Sequence, residues 1–201
     1  MLMLISLVFV AAAAQLIGGL AYVRDTLRGR SKPNRVSWAL WGAAPIVGVL
    51  IALLEGNTSW ALLPVFMAGF VPVLVLLSSY FNEHAYWHLD RFDYVCGGFG
   101  VISLVMWLWA SQPVVAVVML VLTDGLAAVP TIRKAWSSPE TETSAAYFAA
   151  LFGGTAALAN VQQWTVLQYA FPVYLVLINA VLLYAILGRK ALMGSKPSGM
   201  S

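Results

Sequence analysis

The 201-residue sequence contains little charge and a single cysteine. Asp, Glu, Lys and Arg make up 9% of the residues while 61% are apolar, and Cys96 has no second cysteine to pair with. About a quarter of the residues are charged in ordinary soluble domains, so this composition excludes a water-soluble globular domain. The lone cysteine excludes an intrachain disulfide. The sequence therefore predicts an integral membrane protein.

Long apolar runs account for most of the chain. A helix needs about 20 apolar residues to cross a bilayer, and seven runs of roughly that length can be cut from the sequence. They are Leu2–Val23, Val36–Leu54, Trp60–Tyr80, Tyr94–Ala110, Pro113–Ile132, Ser144–Val161 and Val166–Leu187. The predicted fold is an all-α integral membrane protein with seven transmembrane helices, and the segments between them are too short for a soluble domain.

Basic residues are missing from three of the predicted loops. All eleven Lys and Arg residues follow span 1, precede span 4, follow span 5 or lie in the tail, and Glu55–Ser59, Ser111–Gln112 and Gln162–Thr165 contain none. Basic residues favour cytoplasmic loops. We therefore expect a multi-pass protein of the bacterial cytoplasmic membrane with its N-terminus outside and its C-terminus in the cytoplasm. The lipid bilayer is its expected partner, no nucleic acid is expected, and assembly into a homo-oligomer is left open.

A basic hinge occurs twice in the chain. Arg24–Trp41 aligns without a gap on Pro130–Tyr147, 106 residues later, and Pro33 falls on Pro139. A repeat at a fixed offset indicates a duplicated structural unit. We predict a 3+1+3 arrangement, in which two parallel three-helix repeats are joined by a linker helix. The predicted units are residues 1–80, the first repeat; 81–110, a cytoplasmic loop and linker helix; 111–187, the second repeat; and 188–201, a cytoplasmic tail.

One acidic residue lies inside a predicted span. Asp124, in the sequence VLTDGLAAVP, costs about 2.5–3.5 kcal/mol to insert as an ion at mid-helix, so it should face the bundle interior or water. An intramembrane acid is by default a candidate functional residue. We predict that Asp124 couples transport to protons; the alternative is a neutral carboxyl that only fixes helix packing.

Four other residues are candidates for contact with a substrate. Gln15 lies on a face of span 1 with small neighbours, and Asn179 lies so deep in span 7 that water reaches its amide only through a cavity. Trp41 lies one turn inside span 2, and Tyr147 is its counterpart in the repeat. We predict Gln15 and Asn179 as hydrogen-bonding groups, with Trp41 and Tyr147 as stacking groups. The alternative is that these residues only join neighbouring helices.

Four prolines are predicted hinges. Pro33 and Pro139 lie in the two basic connections, Pro45 lies inside span 2, and Pro130 lies near the end of span 5. Proline removes a backbone hydrogen bond and can kink or end a helix.

Both histidines lie in one loop. His84 and His88 are four residues apart, with Asp90 and Asp93 nearby, but no metal-binding motif supports this set of ligands. We predict a solvated turn and no bound metal. Motifs for a nucleophile elbow, a phosphate loop or a metalloprotease helix are also missing from the sequence, so neither enzymatic activity nor a cofactor is expected.

The hinges resemble those of the PQ-loop superfamily, which includes SWEET-type sugar transporters and PnuC-type vitamin transporters. The shared elements are the 3+1+3 spans and a basic hinge with a serine one turn into the next helix, here GRSKPNRVSW and, in degenerate form, AWSSPETETS. Pro130 resembles the proline of the family dipeptide, with Thr131 in place of its glutamine. Asn179 resembles a substrate-contacting asparagine of the sugar transporters, and its repeat partner here is Val73. The chain looks closest to a bacterial branch of this superfamily.

Together these features predict a membrane carrier for a small polar metabolite, such as a sugar, a vitamin or an amino-acid-like compound, with proton coupling as a further expectation. The alternative is a non-transporting membrane protein that acts as a partner-binding or sensory subunit. A hydrated cavity between spans 1, 2, 5, 6 and 7 would favour the carrier, and a sealed apolar interior would favour the alternative.

Overall fold

The computed structural model describes residues 2–54, 56, 60, 62–85, 87–159, 161 and 163–194. Parts of the predicted loops Glu55–Ser59 and Gln162–Thr165 lie outside these residues, as does the predicted tail from residue 195 onward. Every regular element in the described ranges is helical. The prediction of an all-α protein is confirmed.

In the described residues, seven long α-helices coincide with the seven apolar runs. They are α1 (Leu2–Leu27), α2 (Arg35–Leu54), α3 (Leu62–Ser78), α4 (Arg91–Trp109), α5 (Pro113–Ser137), α6 (Ser144–Ala159) and α7 (Val166–Leu183). A π-helical turn at Tyr184–Gly188 continues α7 into the short helix α8, Arg189–Gly194. Short 3-10 turns occur at Glu83–Ala85 and Pro139–Thr141.

Four of the described helical stretches are long and apolar enough to cross a membrane. They are Leu7–Leu27, Arg91–Trp109, Pro113–Ser137 and Val166–Leu192. Apolar stretches of 10–17 residues occupy Arg35–Leu50, Leu62–Ser78 and Ser144–Ala159. Large apolar side chains of α4, including Phe99, Ile102 and Trp109, are exposed, and such a surface is stable against lipid rather than water. The fold is therefore compatible with a membrane protein.

Two helix starts are tied together by side-chain caps. Asn34 Oδ1 accepts hydrogen bonds from the backbone N–H groups of Val36 and Ser37, at 3.1 and 3.3 Å, where α2 begins. Asp90 and Asp93 form a capping box at the start of α4. Asn34 Nδ2 then donates to Asp93 Oδ1 over 3.0 Å. Since each cap satisfies backbone donors that a helix leaves unpaired, this pair fixes α2 and α4 relative to each other.

The helices pack in two similar sets. α3 contacts α1 and α2, α7 contacts α5 and α6, and the two sets meet where α1 packs on α6 and α2 on α5, while α4 packs mainly on α5. α2 begins at Arg35 and α6 begins at Ser144, 109 residues later. The helix starts therefore recur about one helical turn away from the 106-residue sequence offset. At 109 residues, Asp124 corresponds to Gln15.

Helices α1 and α6 approach closely at Gly18. A Cβ atom at Gly18 would lie 2.6 Å from Ala149 Cβ and 2.7 Å from the carbonyl oxygen of Ala145. We expect Gly18→Ala to destabilise the protein by about 1–3 kcal/mol, the usual cost of overpacking a filled interior. Thermal unfolding of the purified protein measures this effect.

Gly98 in α4 provides the matched control, because no described atom lies within 4 Å of a Cβ built there. Gly98→Ala should be neutral or slightly stabilising, since alanine favours a helix over glycine by about 1 kcal/mol. Equal unfolding temperatures for Gly18→Ala and the parent would contradict the close contact between α1 and α6.

Candidate functional site

A buried ion pair joins the end of α5 to the connection that leads into α6. Lys134 Nζ lies 2.6 Å from Glu142 Oε1, and the two side chains are 1% and 0% exposed. Lys134 also donates to the backbone carbonyl of Lys32 in the connection between α1 and α2. The predicted span ended at Ile132, but α5 continues to Ser137. Lys134 therefore lies inside the protein rather than on a basic flank.

Two tyrosines complete the environment of the Glu142 carboxylate. The hydroxyl of Tyr22 in α1 donates to Glu142 Oε2 over 2.7 Å, and that of Tyr147 in α6 donates to the same oxygen over 2.8 Å. Both carboxylate oxygens thus have partners, as a buried charge requires. We call Tyr22, Lys134, Glu142 and Tyr147 the Glu142 network. It links α1, α5 and α6.

Trp38 connects this network to the interior of the helices. Its ring centroid lies 4.7 Å from that of Tyr22, 6.4 Å from that of Tyr147 and 5.4 Å from that of Trp41. The indole N–H of Trp41 donates to the backbone carbonyl of Asp124 over 3.3 Å. The aromatic side chains of α2 therefore form a continuous path between the Glu142 network and the predicted intramembrane acid.

Asp124 faces α7 as well as α2. Its Oδ2 atom accepts a hydrogen bond of 2.8 Å from the hydroxyl of Tyr174. Within the described part of the chain, the acids that form ion pairs are Asp25, Asp90 and Glu142, and Asp124 pairs with no Lys or Arg. A carboxyl without a basic partner in a helix interior can be matched by a proton or by a cationic ligand.

The other predicted contact residues take different positions. Tyr147 belongs to the Glu142 network. Gln15 packs against α6, where a Cβ atom at Gly153 would lie 2.8 Å from its Nε2, and its Oε1 is buried without a hydrogen-bond partner among the described residues. Asn179 is buried and donates to the carbonyl of Leu175 in its own helix over 2.9 Å. The structure thus joins Trp41 to Asp124, while these contacts of Gln15 and Asn179 lie elsewhere.

The four predicted hinge prolines fall into two groups. Pro33 and Pro139 are buried in the connections before α2 and α6. Pro45 and Pro130 lie inside α2 and α5, and both helices continue through them. Pro130 therefore does not end α5, although hinge motion at any of the four stays a prediction.

Two cavities lie at the end of the helices where most basic residues cluster. The first has a volume of about 350 Å³ and is lined by the charged residues Arg24, Asp25, Arg30, Glu140, Glu142 and Lys190 together with small polar and apolar residues. The second has a volume of about 180 Å³, and Trp87, Asp90, Arg133 and Lys134 contribute to its wall. Glu142 lines the first cavity and Lys134 lines the second, so the ion pair lies between them.

The histidine loop forms a helix cap. Asp90 caps α4 and pairs with Arg133 at 2.7 Å. The backbone N–H of Asp93, assisted by Arg133, holds the pKa of Asp90 below its usual range. Among the described residues, no group of three or more His, Cys, Asp or Glu side chains is placed to hold a metal ion. That His84 and His88 bind no metal stays a prediction.

Comparison with protein-family models, with curated proteins and with solved structures gave no match to this chain.

The sequence contained one signal for the Glu142 network that we did not use. The second hinge has Glu140 and Glu142 where the first, at the 106-residue offset, has Asn34 and Val36. Acids that appear in only one copy of a basic hinge indicate a local need for negative charge. Lys134 supplies the matching positive charge.

Proposed function

We propose that the protein is a membrane carrier for a small polar metabolite, with the architecture of the PQ-loop superfamily. In this proposal α1 to α7 all span the membrane, with the N-terminus outside and the basic end in the cytoplasm. Residues 1–80 and 111–187 form two parallel three-helix repeats, and α4 links them. The contacts of α3 with α1 and α2, and of α7 with α5 and α6, support this division. Parallel repeats related by an axis along the membrane normal are known among such transporters.

The observation that carries the carrier function is the position of Asp124. This acid lies in α5, its backbone meets Trp41 of α2, and its carboxyl meets Tyr174 of α7. The site therefore adjoins the contact between the two proposed repeats, and transporters of this class bind substrates at the repeat interface near the midplane. An aromatic face beside a carboxylate and a phenol provides stacking and hydrogen bonding for a polar metabolite.

The interior at this level is polar but filled. Neither Trp41 nor Asp124 lines the two cavities described above. A carrier in a closed conformation accounts for this arrangement, because alternating access requires states in which the substrate site is sealed from one or both sides.

A ligand screen with paired tryptophan variants tests the carrier function. Sugars, vitamins and amino acids are added to the purified protein and thermal unfolding is followed; a ligand at 100 times its Kd stabilises by about 2.7 kcal/mol. We expect one chemical class to raise the unfolding temperature, Trp41→Leu to abolish the shift, and Trp109→Leu to preserve it. Trp109 is the matched control because it is 83% exposed.

Counterflow into proteoliposomes then distinguishes carriage from binding. A stabilising ligand should exchange across the membrane in the parent and in Trp109→Leu. A ligand that binds at Trp41 but never exchanges would reject the carrier and favour a sensory or partner-binding subunit.

A further inference from the structure

We infer that the Glu142 network is the gate at the basic end of the pathway, an inference that rests on the proposed carrier function. In the closed state Tyr22, Lys134, Glu142 and Tyr147 seal the space above Trp38 and Trp41. Opening requires Lys134 and the two tyrosines to exchange Glu142 for water.

The network connects elements that must move relative to one another in a carrier. Tyr22 lies in α1 and is 120 residues from Glu142 in the chain, whereas Lys134 and Tyr147 lie in α5 and α6. The carboxylate of Glu142 is the common partner of all three. Loss of this one group therefore releases α1 from the second half of the chain at this end.

The network lies between two water-accessible spaces. Glu142 contributes to the wall of the cavity of about 350 Å³, and Lys134 contributes to the wall of the cavity of about 180 Å³. Their ion pair forms part of the partition between the two cavities, although the side chains are 1% and 0% exposed. Separation of the two charges would connect the cavities and admit water to the layer beneath.

An ion pair suits a gate better than an apolar contact of the same size. A buried ion pair adds little net stability over well-packed apolar residues, because desolvation offsets the attraction. When water enters, however, both charges regain hydration, so the open state is also favourable. Apolar residues at the same positions would lose their contacts on opening and gain no favourable interaction with water.

A reporter position lies one helical turn deeper on α5. Thr131 precedes Lys134 by three residues, and its hydroxyl donates to Ser37 Oγ of α2 over 2.8 Å, with both residues fully buried. Ser37→Cys is a nearly isosteric change. A thiol there is protected while the gate is closed and reacts with a charged maleimide once water passes Glu142.

The test measures labelling of Ser37→Cys in lipid nanodiscs, which expose both ends of the protein to the reagent. We expect the thiol to be protected in the parent, to react at least tenfold faster in Glu142→Gln, and to stay protected in Glu140→Gln. Glu140 is the matched control, because it is an exposed glutamate two residues away. Cys96, which is buried in α4, reports global unfolding, and peptide mass spectrometry assigns the labelled site.

Each outcome decides the inference. Rapid labelling at position 37 with Cys96 protected supports the gate, while protection of position 37 in Glu142→Gln, or free reaction in the parent, overturns it. If Glu142→Gln also exposes Cys96, the milder variant Tyr147→Phe decides: selective labelling at position 37 supports the gate, and unchanged protection rejects it. The assay requires no substrate, so a protein that fails here can still carry a metabolite, and one that passes can still fail the counterflow test.

Discussion

Glu142→Leu should be among the most destabilising single changes in the protein, lowering the free energy of unfolding by about 3–5 kcal/mol. The change leaves the ammonium group of Lys134 buried without its counter-charge, and the hydroxyls of Tyr22 and Tyr147 lose their acceptor. The unfolding temperature of the purified protein measures the loss. Glu140→Leu, on an exposed side chain, should change the stability by no more than about 0.5 kcal/mol.

The double variant Lys134→Met/Glu142→Leu should recover most of this loss. Buried ion pairs replaced together by apolar residues of similar volume are often neutral or stabilising, so the double-mutant cycle should give a coupling energy of at least about 2 kcal/mol. Additive effects of the two single changes would contradict a direct pair between Lys134 and Glu142. In the carrier proposed here, the recovered protein should also be fixed in its closed state and carry no substrate.

Asp124→Asn should abolish accumulation driven by a pH gradient while leaving substrate exchange largely intact. For a carrier that moves one proton with each substrate, one pH unit supports about tenfold accumulation, because 1.4 kcal/mol corresponds to a factor of ten. Asparagine preserves the shape and can still accept from Tyr174, but it binds no proton. The expected accumulation ratio therefore falls from about ten to about one.

Proteoliposomes with an imposed gradient measure this ratio, and counterflow without a gradient measures exchange. Glu83→Gln, which neutralises an exposed loop acid, should accumulate substrate as the parent does. Parental accumulation by Asp124→Asn would identify Asp124 as a packing residue and reject proton coupling through it.

The helices could be predicted from sequence more reliably than their ends. Apolar runs locate α1 to α7 because few other segments could bury so much apolar surface, but hydropathy treats Arg133 and Lys134 as a solvated boundary. The structure places Arg133 beside Asp90 and encloses Lys134, so α5 continues to Ser137. A charged residue remains within a helix when a partner from elsewhere in the chain balances it, and hydropathy contains no information about such partners.

The candidate site was predicted only in part for the same reason. The chemistry of an isolated acid identified Asp124, and the repeat identified Trp41. Glu142 and Tyr22 were not singled out as a pair, since a contact between residues 120 positions apart depends on how α1 packs on α6. Asn179 was expected to require a distant partner, yet the carbonyl of Leu175 in the preceding turn accepts from it.

The contact between Tyr22 and Glu142 also has a consequence for biosynthesis. Ribosomes add about 5–20 residues per second, so the phenol of Tyr22 is made on the order of ten seconds before its acceptor. Lys134 likewise leaves the ribosome before Glu142, and its charge stays hydrated at the membrane surface until the second hinge follows. The inner end of α1 therefore acquires its final partners only after α6 has been inserted, and the N-terminal half released alone would leave that end unclosed.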